Sequence, residues 1–383
     1  MSLYMSLGLL VLYLLILYNL NNKKYDNKLR NELSVILVFL VCGELLFNMY
    51  LSLRSYFGIS SKEYNDYITT YGDVIDEYKP EQNEYYRIGE TSNFTFNPGL
   101  LFNYPSMTNF LSTNNVDVLN FLKNNGYFAN NIATLYHDNN NIISDSILGI
   151  KYLISEECGD YEEIDTFKYS GFGGFMYGTA EKEFKVCHNK DALSLGFMTY
   201  KNINDYGEGV RSYSNLSISE SLLNKMTNSS EQYYHPYEFT DLRKNTYKVK
   251  LGEEEKIYIT TLPAEDSDFA SIYINGKVFL KTDEYPGNTY VIDNQYKNEE
   301  IEVRVEFEDD GKIVDVNAYA NFYWGDTEKI SSSLQQLKEN PLELEIFSDN
   351  YIKGKVVATK EKSTLFTTIP YDKGWTLYVD GKE

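Results

Sequence analysis

Two long apolar runs near the N-terminus are the strongest feature of the hydropathy pattern. Residues 3–20 carry no charge, and residues 33–53 carry a single charged side chain, Glu44. Because a helix of about 20 apolar residues spans the hydrocarbon core of a bilayer, the pattern predicts two transmembrane helices, at 3–20 and 33–53. A hairpin of buried helices in a soluble protein is the alternative. A cleavable signal peptide is disfavoured, since no basic residue precedes the first run and no small-residue cleavage pattern follows it.

The segment between the two runs, NNKKYDNKLRNE, carries four basic and two acidic side chains. Short loops rich in Lys and Arg remain on the cytoplasmic side of a membrane. The charge pattern therefore predicts a cytoplasmic loop, an extracytoplasmic N-terminus and an extracytoplasmic location for the chain after about residue 54. The expected location is the plasma membrane, which the chain would cross more than once.

Glu44 is a charged side chain inside the second apolar run, and Asn48 follows one helical turn later on the same face. A carboxyl group within a membrane is costly and usually faces a bundle interior or a wet cavity. We predict an intramembrane polar site at Glu44 and Asn48, or an inter-helix contact; a protonated Glu44 sealed against a neighbouring helix is the alternative. Either way, further membrane helices are expected as partners, because a single hairpin has no interior.

Residues 55–238 show a mixed pattern of helices and strands. Apolar positions three or four residues apart predict a helix over about 55–81 that ends at Pro80, and a short amphipathic helix at VDVLNFLKNNGY. The segments YYRIGE and GIKYLIS predict strands. The glycine-rich stretch Ser170–Thr179 lacks the lysine of a phosphate-binding loop and favours a hairpin.

From about residue 239 the pattern changes to short alternating runs separated by turns, such as KIYITTLP and SIYINGKVFL. This spacing predicts an antiparallel β-sandwich over 239–383, with one helix at KISSSLQQLKEN. Trp375–Val379 reads as a further strand, and Asp380-Gly381 as a hairpin turn. Since only Lys382 and Glu383 follow, the sandwich is expected to be incomplete. The predicted fold class is a membrane-anchored α+β protein with domains 1–54, 55–238 and 239–383.

Charge excludes one class of partner. The net charge is −21, and the first 55 residues hold five basic and three acidic side chains. The remainder therefore holds 30 basic (35 less 5) and 53 acidic (56 less 3) side chains, a net charge of −23. A surface this acidic repels phosphate polymers, so nucleic-acid binding is disfavoured.

The three cysteines do not make a disulfide framework. Cys42 lies in an apolar run; Cys158 and Cys187 could pair if exported, but we expect free buried thiols. Cys187-His188 with Cys158 is a poor zinc pattern, because no second paired ligand motif accompanies it. The 36 tyrosines are attributed mainly to compositional bias.

No hydrolase, metalloprotease or dinucleotide-binding motif occurs in the sequence, so no catalytic, cofactor-binding or metal-binding residues are predicted. Aromatic side chains of the predicted sandwich could hold a glycan, and Trp324 and Trp375 are the candidates for such contacts. We nevertheless expect both in the core, since Trp375 alternates with Leu377 and Val379 on one strand face.

A series of motifs runs along the chain in a fixed order. The most specific is TTIPYDKGWTLYVDGK at 367–382, followed by GIKYLIS at 149–155 and HNKDALSLGF at 188–197. The weaker ones are ELLFN at 44–48, Tyr86-Arg87-Ile88, Asn97-Pro98, and a stretch with Tyr104, Ser106, Phe110 and Ser112. This series resembles the bacterial YfhO family of multi-span membrane proteins over nearly the whole chain.

The resemblance implies a GT-C-type glycosyltransferase architecture that adds sugars from a polyprenyl-phosphate donor to cell-envelope polymers such as teichoic acids. The catalytic acid of that superfamily lies in an early extracytoplasmic loop, to which nothing in this chain corresponds. No catalytic residue is therefore carried over, and whether the chain is itself an enzyme stays open. Members of the family also continue past Asp380-Gly381, so the chain is expected to be a fragment.

The expected function is the extracytoplasmic and membrane-anchor portion of such a protein, assisting polyprenyl-phosphate-sugar-dependent glycosylation of an envelope polymer. The expected partners are the lipid bilayer, the remaining transmembrane helices, the polyprenyl-linked sugar and the polymer, with no cofactor. An anionic polymer matches a face of net charge −23 only at a local basic patch or through bridging divalent cations. The alternative is a non-catalytic cell-surface glycan-binding or structural membrane protein.

Overall fold

The computed structural model divides into two compact units, residues 1–64 and 65–383. The first unit is helical, and the second contains all of the described strands. The described residues are 3–22, 26–55, 60–91, 95–129, 132–136, 141–172, 179–200, 215–237, 240–243, 245–252, 256–261, 269–282, 289–292, 296, 298–309, 312–313 and 320–383.

The first unit contains helix α1, Leu3–Asn21, and helix α2, Asn27–Ser55. Residues that are at least half-buried recur every three or four positions on each helix, which is the spacing of one helix face. They include Leu9, Tyr13, Ile16 and Leu20 in α1, and Leu33, Leu37, Leu40, Glu44 and Asn48 in α2. The other apolar side chains of α2, such as Phe39 and Leu45, are exposed and suit a lipid environment.

Helix α2 contains a segment, Asn27–Arg54, that is long and apolar enough to cross a membrane, and an 18-residue stretch within it has a mean hydropathy of 2.0. The predicted run at 33–53 lies inside this segment. The apolar stretch Leu7–Asn21 is too short to meet the same criterion. Among the described residues there is thus one candidate membrane helix, and a span at 3–20 stays a prediction.

Helix α3, Ser61–Tyr78, is amphipathic and buries Tyr67, Tyr71 and Ile75. It starts later than the predicted residue 55, because Ser60 forms a capping box with Glu63. The Ser60 Oγ accepts from the Glu63 N–H at 3.2 Å, and the Glu63 carboxylate accepts from the Ser60 N–H at 2.8 Å. Pro80 follows shortly after the helix, as predicted.

The elements up to residue 227 alternate between short helices and strands, which confirms the mixed pattern. They are β1 (Arg87–Glu90), α4 (Pro98–Phe102), β2 (Asn109–Phe110), α5 (Val116–Asn124), β3 (Phe128–Ala129), β4 (Ala133–Leu135), α6 (Ile142–Ile147), β5 (Ile150–Ser155), β6 (Glu162–Phe172), β7 (Thr179–His188), β8 (Gly196–Thr199) and α7 (Asn215–Thr227).

A mixed four-stranded sheet organises this region, in the order β1-β5-β7-β6. Strand β5 is central: it runs parallel to β1 and antiparallel to β7, and it corresponds to the apolar GIKYLIS segment. Gly149 precedes it at φ +70°, where an added Cβ would lie 2.9 Å from the Leu193 carbonyl oxygen, so only glycine fits. Strands β6 and β7 pair antiparallel, as the predicted hairpin requires, while residues 173–178 between them lie outside the described residues.

The remaining elements are mostly strands, as the alternating pattern predicts. They are β9 (Tyr234–Pro236), β10 (Thr240–Arg243), β11 (Thr246–Lys250), β12 (Lys256–Thr261), β13 (Phe269–Ile274), β14 (Lys277–Thr282), β15 (Thr289–Ile292), β16 (Glu300–Asp309), β17 (Lys312–Ile313), β18 (Ala320–Gly325), α8 (Thr327–Lys338), β19 (Glu343–Ser348), β20 (Tyr351–Lys355) and β21 (Thr364–Thr367). The predicted hairpin at Asn275-Gly276 is confirmed, since both residues have the positive φ of a type I′ turn.

Two antiparallel sheets share one hydrophobic cluster. The first has the order β10-β11-β16-β13-β14, with β17 paired to β16, and the second has the order β15-β12-β18-β9. Their shared cluster includes Val249, Ile272, Val303, Ile257, Ile292 and Phe322. Tyr258 and Val291 point from the second sheet to a different cluster, which also contains residues of α6, α7 and α8. Both faces of the second sheet are therefore covered.

Two expectations, about a strand and about the cysteines, are wrong in the second unit. Trp375–Val379 forms no strand; only a bridge between Val379 and Lys382 closes the Asp380-Gly381 turn, and Leu377 is 70% exposed. Without a neighbouring strand the segment has no ladder to join. Cys158 and Cys187 form a disulfide, because Cys158 lies in the turn between β5 and β6, and both of these strands pair with β7, which carries Cys187.

Candidate functional site

Arg87 in β1 connects two distant motifs through its guanidinium group. The group donates to the Leu148 carbonyl oxygen, just before the GIKYLIS segment, and to the Thr368 Oγ1 and carbonyl oxygen at 3.1 and 3.3 Å. Thr368 belongs to the TTIPYDKGW motif. Because β1 pairs with β5, Arg87 lies at the start of both strands, within reach of Leu148 and Thr368. Its planar fork of N–H donors suits several acceptors at once.

Asn189 brings a third motif, HNKDALSLGF, to the same place. Its side-chain amide donates to the Ile150 carbonyl oxygen at 3.0 Å and to Ser146 Oγ at 3.1 Å. The Leu195 carbonyl oxygen of that motif accepts from the Thr368 N–H at 2.9 Å. Segments that are far apart in the sequence thus meet around Arg87 and Asn189. We call these contacts the Arg87 junction.

A group of half-buried cationic and aromatic side chains lies beside the Arg87 junction, at the same end of β1 and β5. We call it the basic–aromatic patch, and it consists of Tyr86, Lys151, Tyr152, His188 and Lys338. The Lys151 ammonium lies 4.3 Å from the centre of the Tyr86 ring and 5.4 Å from that of Tyr152. The Tyr152 and His188 rings are 5.4 Å apart, and Lys338 Nζ donates to the Lys190 carbonyl oxygen.

The titratable groups of the patch influence one another. Burial lowers the pKa of His188, and Lys151 and Lys338 lower it further, while Glu162 opposes the shift. Burial also lowers the pKa of Lys338; Asp191 acts against this shift, and Lys151 adds to it. A bound anion would relieve this repulsion.

The predicted polar pair of the membrane region lies on one face of α2. Glu44 and Asn48 are both half-buried between exposed neighbours, and the Tyr13 hydroxyl of α1 donates to Glu44 Oε2 at 2.5 Å. The contact partner of Glu44 within the first unit is therefore a tyrosine of the same hairpin. Sequence reasoning placed Glu44 and Asn48 on one face but missed Tyr13, which gave no signal beyond its place in an apolar run.

The two predicted glycan-contact residues, Trp324 and Trp375, do not contact each other among the described ring contacts. Trp324 in β18 is half-buried and stacks on His235, with ring centres 4.1 Å apart, so one indole face is covered. Trp375 is 43% exposed, and the expectation that it lies in the core is wrong. Because residues 375–379 form no strand, the Trp375 indole is not packed into the core as a strand residue would be.

A fully buried carboxyl group in α6, Asp145, was missed from the sequence. Three tyrosine hydroxyls donate to it, those of Tyr127, Tyr136 and Tyr161, with Tyr136 at 2.7 Å. Burial raises the pKa of Asp145 to about 7, and the three hydroxyls oppose that shift. The abundance of tyrosine was the only signal in the sequence, because the three partners come from separate segments.

Glu90, at the end of β1, is a second buried carboxyl group. The Tyr71 hydroxyl donates to Glu90 Oε2 at 2.8 Å, and burial raises the pKa of Glu90 to about 7. Neither Glu90 nor Asp145 faces solvent, so both are interior groups rather than surface ligands. Within the described part of the chain, no group of three or more His, Cys, Asp or Glu side chains is arranged to hold a metal ion.

Comparison with known proteins decides the family. The family model described as bacterial membrane protein YfhO matches residues 1–383, the whole chain. The chain belongs to the YfhO family of bacterial membrane proteins. Its association with a lipid bilayer follows from that membership, and α2 is the helix suited to it.

Two further comparisons add little to the YfhO assignment. No curated protein matches the chain. A solved structure of an acetyl xylan esterase, Est2A from the rumen bacterium Butyrivibrio proteoclasticus, is similar to part of the chain. The similarity covers 26% of this chain and 30% of the esterase chain, with 14% sequence identity and a TM-score of 0.15. At that TM-score the similarity gives no information about the fold or the activity of the YfhO chain.

Proposed function

We propose that this YfhO chain is a membrane-anchored, extracytoplasmic part of the machinery that glycosylates cell-envelope polymers of the teichoic acid type from a polyprenyl-phosphate-linked sugar. Its second unit would hold the acceptor polymer. The observation that carries the proposal is the basic–aromatic patch beside the Arg87 junction. It offers ring faces and cations at one place, on a region that otherwise carries excess negative charge.

The disulfide supports an extracytoplasmic location for the second unit. Disulfides form and persist in oxidising compartments and are rare in the cytosol, where thiols are kept reduced. Cys158 and Cys187 are paired, and both lie within the unit that the charge pattern assigns to the outside. The four basic residues between the apolar runs agree with the same orientation. A chain that crosses the membrane at both 3–20 and 33–53 would satisfy both observations.

The finer domain division is part of this proposal. The two antiparallel sheets with a shared cluster span β9 to β18, residues 234–325, and support a β-sandwich in that part of the chain. The boundaries at 54 and 238 stay predictions. Glu44 and Asn48 are proposed to contact further membrane helices, which is consistent with their position on one face of α2.

The test is made in cells that lack the native gene. Cells complemented with the native gene are expected to carry the polymer-linked sugar, whereas the combined Lys151→Ala and Lys338→Ala substitutions should lower it severalfold. Lys277→Ala, at an exposed residue of the β13–β14 hairpin, serves as a charge-matched control and should restore the normal sugar content. Equal membrane levels of the variants are checked by immunoblot. An unchanged sugar content after deletion of the gene would refute the proposal.

A non-catalytic glycan-binding or structural role is the second candidate, and exposed aromatic residues favour it. Trp375 is 43% exposed and Tyr371 is 87% exposed, so both are available for contact with sugar rings. This role predicts saturable binding of neutral glycan fragments that Trp375→Ala abolishes, in cells whose polymer-linked sugar does not depend on the gene. Trp324→Ala is expected to have a smaller effect, because His235 already covers one face of that indole.

A further inference from the structure

We infer that the basic–aromatic patch is a binding site for the phosphate group of a soluble phosphodiester polymer, with Lys151, His188 and Lys338 as the ligands of the phosphate. The inference rests on the proposed function for its biological context. It goes further by assigning the ligand group to named side chains. It also predicts that binding occurs without any sugar transfer.

Lys151 has free capacity to bind an anion. Its ammonium lies over the Tyr86 ring at 4.3 Å, and it makes no ion pair among the described residues. A ring face orients a lysine without consuming its charge. On the same sheet, by contrast, Lys182 pairs with Glu156 and Lys185 pairs with Glu157 at 3.1 Å. Lysines of this sheet thus pair with carboxylates where these are in reach, and Lys151 remains without one.

His188 and Lys338 add hydrogen-bond donors from two other elements to the donors that Lys151 supplies. His188 of β7 lies opposite Tyr152 of β5 in the strand register, next to Lys151. Lys338, in the last turn of α8, donates one hydrogen bond to the Lys190 carbonyl oxygen, two residues after His188. An ammonium group has three donors, so two remain for a ligand. The ammonium groups of Lys151 in β5 and Lys338 in α8 and the imidazole of His188 in β7 therefore lie in one region of the second unit.

The neighbouring carboxylates are not ion-paired with Lys151 or Lys338 among the described contacts. Asp191 is the carboxylate that acts on Lys338, and its Oδ1 already accepts from Ser331 Oγ at 3.0 Å and Gln335 Nε2 at 2.7 Å. Glu162 acts on His188, Glu84 acts on Tyr86 and Tyr152, and Glu81 acts on Tyr86, but none of the three is ion-paired with a patch residue among the described contacts. Two ammonium groups without a described carboxylate partner inside an acidic surrounding favour a small anionic group at a defined point rather than a whole polyanionic surface.

The experiment uses the full chain, purified and reconstituted in nanodiscs of neutral lipid, with a glycerol phosphate oligomer as the probe in isothermal titration. Saturable binding is expected at low ionic strength. Lys151→Ala and Lys338→Ala should each weaken it about tenfold, as expected for loss of a hydrogen bond to a charged group. Lys277→Ala, which removes an exposed charge elsewhere, should leave the affinity unchanged. Lys151→Arg should retain most of the binding.

Three results would overturn the inference. They are the absence of saturable binding by the native chain, an equal loss in Lys277→Ala, and binding confined to vesicles that contain phosphatidylglycerol, which would identify a lipid headgroup as the ligand. Inorganic phosphate should compete with the oligomer for the site. If the native chain binds the oligomer but deletion of its gene leaves the polymer-linked sugar unchanged, the proposed function is refuted and this site is supported. Absent binding by the native chain, together with polymer-linked sugar that depends on the gene, would refute the site alone.

Discussion

Both units of the molecule pair a carboxyl group with tyrosine, but they do so in different surroundings. In the helical hairpin, Glu44 receives one hydroxyl, from Tyr13 at 2.5 Å, and the pair is half-buried. In the second unit, Asp145 receives three tyrosine hydroxyls and is completely buried. A carboxyl group deprived of water must find its hydrogen bonds in the protein, and Asp145 finds three of them in tyrosine hydroxyls.

This comparison changes the meaning of the tyrosine content. Thirty-six tyrosines were attributed mainly to compositional bias. Several of them instead satisfy buried or half-buried carboxyl groups; Tyr71 donates to Glu90 and Tyr258 donates to Asp160, both at 2.8 Å. Tyrosine suits this task, since its ring fills the core while its hydroxyl supplies a donor. The following predictions test how far the two settings differ.

The largest effect is expected at Asp145. Asp145→Ala removes the acceptor of three buried hydroxyls and should lower the free energy of unfolding of the second unit by about 3 kcal/mol or more, because each unsatisfied buried group is costly. The measurement is chemical denaturation followed by tyrosine fluorescence. Asp349→Ala, at an exposed position after β19, is the matched control and should change stability by less than about 0.5 kcal/mol. Similar losses in both variants would show that Asp145 has no special role.

The disulfide should come next. Cys158 and Cys187 are 29 residues apart, and replacing both by Ser should cost about 2–4 kcal/mol by releasing the constraint on the unfolded chain. The hairpin offers the contrast, since Cys42 is a free and exposed cysteine. Alkylation of the denatured, non-reduced protein should label Cys42 alone, and labelling of all three cysteines should require a reductant. Three labelled cysteines before reduction would contradict the pairing.

Stability of the second unit should fall as pH rises from 5 to 8. Burial raises the pKa of Asp145 from 3.8 to about 7 and that of Glu90 from 4.5 to about 7. A folded state with the higher pKa binds more protons than the unfolded chain, so its advantage is complete below pH 4 and disappears as pH passes 7. The expected loss is about 2 kcal/mol for each carboxyl group. In Asp145→Asn the pH dependence of the thermal midpoint should be about halved, and a midpoint that rises with pH in the native protein would contradict the prediction.

The smallest effect is expected in the hairpin. Tyr13→Phe removes one hydrogen bond to Glu44 and should cost about 0.6 kcal/mol, the average for such bonds in membranes. A double-mutant cycle with Glu44→Gln, followed by SDS titration of the protein in micelles, isolates the coupling. Tyr18→Phe, at a residue that is 71% exposed, is the control. A coupling energy as large as the loss in Asp145→Ala would mean that the two settings do not differ.

Local patterns predicted much of the second unit, and the failures share a cause. GIKYLIS, KISSSLQQLKEN and the Asn275-Gly276 turn all formed the predicted elements, because periodicity and turn chemistry act over a few residues. Trp375–Val379 has the same alternation but pairs with no strand among the described residues. Alternation states which faces could be buried, whereas a strand forms only where a partner supplies the hydrogen bonds. The sequence analysis predicted only that an anionic polymer would need a local basic patch. It did not predict which residues form the basic–aromatic patch.

The sequence by itself determined the apolar helix α2, the change from mixed to strand-rich structure and the family, since each rests on residues that are close together or on motifs read in order. The tertiary structure alone decided the Cys158–Cys187 pairing, the three tyrosines around Asp145 and the contact of Arg87 with Thr368, which are 281 residues apart. Such contacts depend on which segments are buried beside each other. That choice is made by the packing of the whole core, which no local pattern encodes.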